Sequence, residues 1–188
     1  MLEAAIVAFA RKGYAGTSIQ DILQATGLSR PTLYYYFKSK SGLFRAILDF
    51  AYDECFRMMK EGANARVTCD ERLVAIAAAI FEFAQRHESL TRLLFATVFA
   101  APEEIPPGAI DKKKRQRNFK FVLEVVRLGV ERKELDASFT APELAHGIFG
   151  TISHQTRMHL LEPKSPLDGR RAKRVVTLFL QGAQRKRR

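Results

Sequence analysis

Gly27 is the residue that most constrains how this chain can fold. It follows Ile19, Ile22 and Leu23, whose spacing of three and four residues lays one apolar stripe along a helix. It precedes Ser29-Arg30-Pro31, a capping residue followed by a proline tolerated in a first helical turn. A residue that accepts positive φ, set between a helix end and a helix start, turns the chain sharply. The first of the two helices starts at either of two caps, since Thr17 with Gln20 and Ser18 with Asp21 both fit the reciprocal capping arrangement. Two short helices joined by a Gly-containing turn of three or four residues form a helix-turn-helix.

The second helix is expected over about residues 29–36. At roughly 100° per residue, Arg30, Pro31, Tyr34 and Tyr35 share one arc, with Leu33 opposite and Tyr36 near it. The run Tyr34-Tyr35-Tyr36 covers too wide an arc to face one core. In a helix-turn-helix the second helix lies in the major groove, where Arg donates two hydrogen bonds to guanine and Tyr hydroxyls reach phosphates. Between Ile22 and Leu48 the chain has Arg30, Lys38, Lys40 and Arg45 but no Asp or Glu, a field suited to a polyanion.

Ala4-Ala5, Phe9, Gly13-Tyr14, Thr17-Ser18, Gly27-Leu28-Ser29, Thr32-Leu33-Tyr34, Phe37 and Ser39-Lys40 together resemble the N-terminal domain of the TetR/AcrR family of bacterial transcriptional regulators. The resemblance covers roughly the first 45 residues. It implies an all-α homodimer that binds a palindromic operator through its N-terminal head and a small ligand through a variable C-terminal domain. It puts phosphate contacts on Thr17, Tyr34, Tyr36 and Lys40, and base-edge or close groove contacts on Arg30, Pro31, Thr32 and Tyr35. Lys38 adds a further phosphate partner. Pro31 stands where the family more often has glycine, which adds bulk at the groove and offers an apolar contact to a thymine methyl. The sequence also enters its first helix at Met1-Leu2-Glu3-Ala4, where the family usually has a polar, often basic segment ahead. That implies weaker DNA contacts or a start further upstream.

Composition agrees with a folded helical chain. A sequence of 188 residues with 47% hydrophobic content can bury a sizeable core. The net charge of +11 is unevenly placed. Residues 1–60 hold 8 Lys/Arg against 5 Asp/Glu, so most of the basic excess lies later, in the run Lys112 to Arg117 and the tail Arg185-Lys186-Arg187-Arg188. Both read as solvated helix ends or tails, with auxiliary contact to a polyanion as the alternative. The apolar stretch Ala4–Ala10 is short and has helical spacing, so it reads as an amphipathic first helix, not a targeting or membrane segment, and the protein is expected in the cytoplasm. Cys55 and Cys69 are isolated, and His87, His146, His154 and His159 show no metal-ligand spacing. No metal and no cofactor is expected. Redox sensing by Cys55 or Cys69 stays open.

The rest scans as helices, for about nine in all. A fourth helix, from Gly42 to about Lys60 with Leu43, Ile47, Phe50 and Ala51 inward, links a head of residues 1–45 to a body of residues 46–188. Further helices are expected over about 71–86, 89–101, 110–133, 142–161 and 167–184. The last two carry Phe149, Ile152, Val175, Val176, Phe179 and Leu180 at helical spacing beside small residues that let axes approach closely. Their position resembles the family's dimerisation pair. Phe95, Phe99, Phe119, His146, Phe149 and His154 are candidates to line a pocket for a hydrophobic molecule.

The expected function is a ligand-responsive repressor released from its operator by a small hydrophobic molecule. The alternatives are a regulator that answers to a protein partner without any small effector and, more remotely, a helical enzyme. No nucleophile–base pair, metal motif or phosphate-cradling loop can be picked out to support an enzyme.

Overall fold

The computed structural model describes residues 2–101, 103–163 and 166–183, and the basic tail at residues 185–188 lies outside them. Among the described residues there are nine helices and no strand. They are α1 (Leu2–Lys12), α2 (Ile19–Thr26), α3 (Arg30–Phe37), α4 (Lys40–Asn64), α5 (Cys69–Arg86), α6 (Glu88–Val98), α7 (Lys112–Glu131), α8 (Ala141–Leu161) and α9 (Gly169–Ala183). The chain forms two compact units, residues 1–53 with 87–114 and residues 54–86 with 115–188.

In the first unit, the apolar stripes of α1, α2, α3 and the early part of α4 converge. Ala5, Ile6, Phe9, Ile22, Leu33, Leu43, Phe44, Ile47 and Leu48 are all buried. An aromatic triad anchors this core: the Phe44 ring meets Phe9 edge-on at 5.0 Å and Tyr14 at 5.0 Å. Helix α6 packs on α1 and buries Leu90, Thr91, Leu93 and Thr97. Phe50, expected inward, is instead 43% exposed, and its ring meets His87 edge-on at 6.1 Å. Leu48 and Phe44 take the buried arc in its place, because Phe44, Ile47, Leu48 and Ala51 repeat at three and four residues and leave Phe50 on their flank.

Ser39 caps α4, its hydroxyl accepting the Gly42 N–H at 3.0 Å. Gly42 is required there by a close approach: a Cβ at this position would lie 1.9 Å from the Phe37 carbonyl oxygen that ends α3. Gly42→Ala is therefore expected to destabilise the head by about 1–3 kcal/mol through overpacking. A thermal unfolding curve identical to that of the parent would remove this close approach from the account.

In the second unit, α5, α7, α8 and α9 enclose one core with the later part of α4, including Met59, Leu73, Ile76, Phe81, Val122, Val126, Ile148, Ile152 and Val176. Helix α8 starts with a capping box in which Thr140 and Glu143 satisfy each other's backbone N–H groups. The expected close approach of the last two helices occurs at Gly147, where a Cβ would fall 2.8 Å from the Phe179 ring. Among the described residues no helix is long and apolar enough to cross a membrane.

Candidate nucleic-acid interface

Helices α2 and α3 are built by local chemistry that leaves their outer faces free. Of the two possible caps, Ser18 is the one used: its hydroxyl accepts the Asp21 N–H at 3.0 Å, and the Asp21 carboxylate accepts the Ser18 N–H at 2.8 Å. Asp21 also pairs with Lys12 at 2.7 Å, joining the end of α1 to the start of α2. The Lys12 ammonium and the Ser18 donors hold its carboxyl far below the ordinary carboxylate range. At the other end of α2, Gly27 takes φ of 70° and donates its N–H to the Leu23 carbonyl at 2.9 Å. Ser29 then caps α3 by accepting the Thr32 N–H at 3.3 Å, with Pro31 in the first turn.

Helix α3 is eight residues long, and Leu33 alone among them is fully buried. Arg30, Pro31, Tyr34, Tyr35 and Tyr36 are exposed, Tyr35 at 72% and Tyr36 at 66%. Tyr36 thus faces outward although its spacing set it near Leu33. Its ring sits edge-on to Tyr35 at 5.0 Å, and half-buried Phe37 takes the inner position at the helix end. Lys38 closes α3 with φ of 64°, and its ammonium donates to the Tyr35 carbonyl at 3.0 Å, which places it beside the tyrosine rings. The result is a short exposed helix with one guanidinium, three phenols and no carboxylate.

Two of the expected phosphate partners are engaged inside the head. Thr17 is fully buried, and its hydroxyl donates to the Gly13 carbonyl at 2.6 Å. The Lys40 ammonium donates to the carbonyls of Tyr14 and Thr17 at 2.9 and 2.8 Å and lies 4.1 Å from the centre of the Tyr14 ring. Lys40 therefore braces the loop between α1 and α2 against the start of α4, and one of its three N–H donors remains. Tyr14 belongs to the same construction through its stacking on Phe9 at 6.1 Å. Helical spacing could not show this, because 26 residues separate Lys40 from Tyr14.

The six pocket candidates divide between the units. Phe95 and Phe99 belong to the first, and Phe99 is 80% exposed at the end of α6. In the second, Phe119 stacks on His146 at 4.4 Å and meets Phe149 edge-on at 5.7 Å, so these three form one ring cluster. His154 is exposed, its Nδ1 3.2 Å from the Arg157 guanidinium. Of the dimer candidates, Ile152, Val175, Val176 and Leu180 are spent on the chain's own core, and Phe149 and Phe179 are half-buried against it. Burial pushes both cysteine thiols up to about 12, which keeps Cys55 and Cys69 protonated and weakly nucleophilic at neutral pH.

A family model described as "Bacterial regulatory proteins, tetR family" matches residues 1–47, the stretch that contains this helix-turn-helix. This match places residues 1–47 in the TetR family. One relative, the HTH-type transcriptional repressor ComR of Escherichia coli (strain K12), is 42% identical over 78 residues, covering 42% of this chain and 35% of ComR. The chain spans between a third and a half of the length of the first curated relatives it matches, 35% and 48% for two of them. The likeness in fold to solved structures extends over nearly the whole chain. The TetR family regulator PfmR from Thermus thermophilus superposes with a TM-score of 0.79 at 23% identity over 98% of both chains. The fatty acid degradation regulator FadR from Bacillus halodurans does so with a TM-score of 0.84 at 18% identity, over 98% of this chain and 95% of that one. The family and these relatives are regulators of transcription, not enzymes.

Proposed function

We propose that this chain is a cytoplasmic, sequence-specific repressor of the TetR family that binds a palindromic operator as a homodimer and is released by a small hydrophobic molecule. The observation that carries the reading is α3, which offers Arg30, Pro31 and Tyr34–Tyr36 outward on a helix fixed by a cap at each end. In this reading residues 1–45 are the DNA-binding domain, and residues 46–188 hold the effector and dimer surfaces. Arg30, Pro31, Thr32 and Tyr35 read or line the groove. Tyr34, Tyr36, Lys38 and the remaining donor of Lys40 meet phosphates, and Thr17 contributes by ordering the loop that precedes α2.

The outer sides of α8 and α9 support the homodimer, because they leave Met158, Leu161 and Leu178 exposed, Leu178 at 72%. Two heads related by a twofold axis would read half-sites spaced by the helical repeat. The Phe119–His146–Phe149 cluster supports an apolar effector, as does a structural neighbour named for fatty acid degradation. An effector that prefers a conformation with mis-spaced heads would shift the population away from the DNA-competent dimer in proportion to its differential affinity.

Selection of the purified protein against random duplex DNA at fixed salt tests this, with an Arg30→Ala/Tyr35→Ala variant beside it. The expected result is an enriched palindrome that disappears in the variant. Enrichment that the variant retains, or a single non-repeated half-site, would overturn the assignment to α3 or to a dimer.

A further inference from the structure

The chain carries a formal charge of +11, yet one cleft in its second unit is edged by carboxylates. Helix α7 ends in a reversal: Lys133 takes a left-handed φ of 63°, and the Gly129 carbonyl accepts both the Glu134 N–H at 2.8 Å and the Leu135 N–H at 3.2 Å. The reversal carries Glu134 onto the first turn of α5, where its carboxylate accepts the Cys69 N–H. Asp70 follows directly and accepts the Thr68 hydroxyl. These two residues edge a cavity of about 430 Å³ whose buried lining includes Leu135, Val176 and Leu180, with Lys173 of α9 also on its rim. Among the described residues, Asp70, Glu134 and Lys173 form no ion pair.

We propose that this cleft binds a small amphipathic amine, its apolar body on Leu135, Val176 and Leu180 and its protonated nitrogen at Asp70 and Glu134. The volume falls within the usual range for small-molecule sites, about 300–1,000 Å³, and the combination of apolar lining with a few placed polar groups is typical of them. Sign follows from the rim, where two carboxylates stand against one ammonium. Glu134 is held in place by its hydrogen bond, whereas Lys173 sits on a flexible stem that can carry its charge into water. A ligand carboxylate would meet like charge at the same rim. The Cys69 thiol, which lines the cavity, senses the same field. Burial raises it first, then Glu134 and Asp70 raise it further, and the opposing effects of Arg72 and Arg132 are smaller.

The site is distinct from the Phe119 cluster, and its test needs no DNA. Calorimetric titration of the full chain with n-octylamine, below the concentration at which the amine aggregates, is set beside n-octanol and octanoate. Saturable binding of octylamine is expected, about tenfold or more tighter than octanol, since a charge-assisted hydrogen bond is roughly twice as strong as a neutral one. Octanoate should not bind. Glu134→Gln keeps an acceptor for the Cys69 N–H and should weaken octylamine about tenfold at an unchanged melting temperature. Asp70→Asn provides the same test where the first variant folds poorly. Absence of octylamine binding, octanoate binding as well as octylamine, or undiminished octylamine binding in these variants would each overturn the proposal.

Discussion

Replacing Phe44 with Ala is expected to unfold the head while the second unit stays folded. Phe44 is fully buried and meets both Phe9 and Tyr14 at 5.0 Å between ring centres. Truncating a buried Phe to Ala costs about 3–5 kcal/mol, from lost transfer free energy and from the cavity left behind. Whole proteins are stable by only about 5–15 kcal/mol, and a small unit has a small share of that. The damage would spread, because Tyr14 supplies one of the two carbonyls that hold the Lys40 ammonium, and the Thr17 carbonyl supplies the other. Thermal unfolding followed by circular dichroism should show the parent transition of the second unit retained, with an early loss of helix from the first. DNA binding should be abolished. A Phe44→Ala protein that melts as one with the parent and binds DNA unchanged would show that the triad does not hold the head.

What could be read from the sequence, and what could not, follows from how far each interaction reaches along the chain. The helix-turn-helix was legible because its determinants are local: Ser18 and Asp21 lie three apart, Ser29 caps the residue three ahead, and Gly27 supplies its own positive φ. Leu33 inward with Tyr34 and Tyr35 outward needed only helical periodicity. Phe50 and Tyr36 escaped because each sits on the boundary of a stripe, where neighbours decide the side. Phe50 finds His87, and Phe37 takes the inner position that Tyr36 leaves. The brace at Lys40 escaped for want of any local signal, since a lysine at the start of a helix looks the same whether it meets solvent or carbonyls 23 and 26 residues away. On α8 and α9 the regular apolar spacing fits a dimerisation pair and a core alike, because spacing does not say buried against what. Val175, Val176 and Leu180 meet the chain's own core in the second unit, and Leu178 stands exposed outside that stripe.

Arg30 and Lys40 should separate base reading from bracing. Arg30 is exposed at the first position of α3 and its side chain forms no hydrogen bond or ion pair among the described residues, so Arg30→Ala should leave the melting temperature unchanged. If its guanidinium reads a guanine, the change costs about 1–3 kcal/mol of binding and relaxes preference at one base pair in each half-site. Lys40→Ala removes two hydrogen bonds from a charged donor and its contact with the Tyr14 ring. It should lower the melting temperature, because hydrogen bonds to charged groups contribute about 1.5–3 kcal/mol each when buried and less at this half-exposed position. Its effect on DNA should be uniform across sequences, since a loosened head weakens every complex alike. With the remaining N–H on a phosphate, the salt slope should also flatten by about 1. Binding to a selected operator and its single-base variants, measured over a salt series beside thermal unfolding, distinguishes these outcomes. Equal loss on every sequence from both substitutions would remove Arg30 from base reading. An unchanged melting temperature for Lys40→Ala would remove the brace.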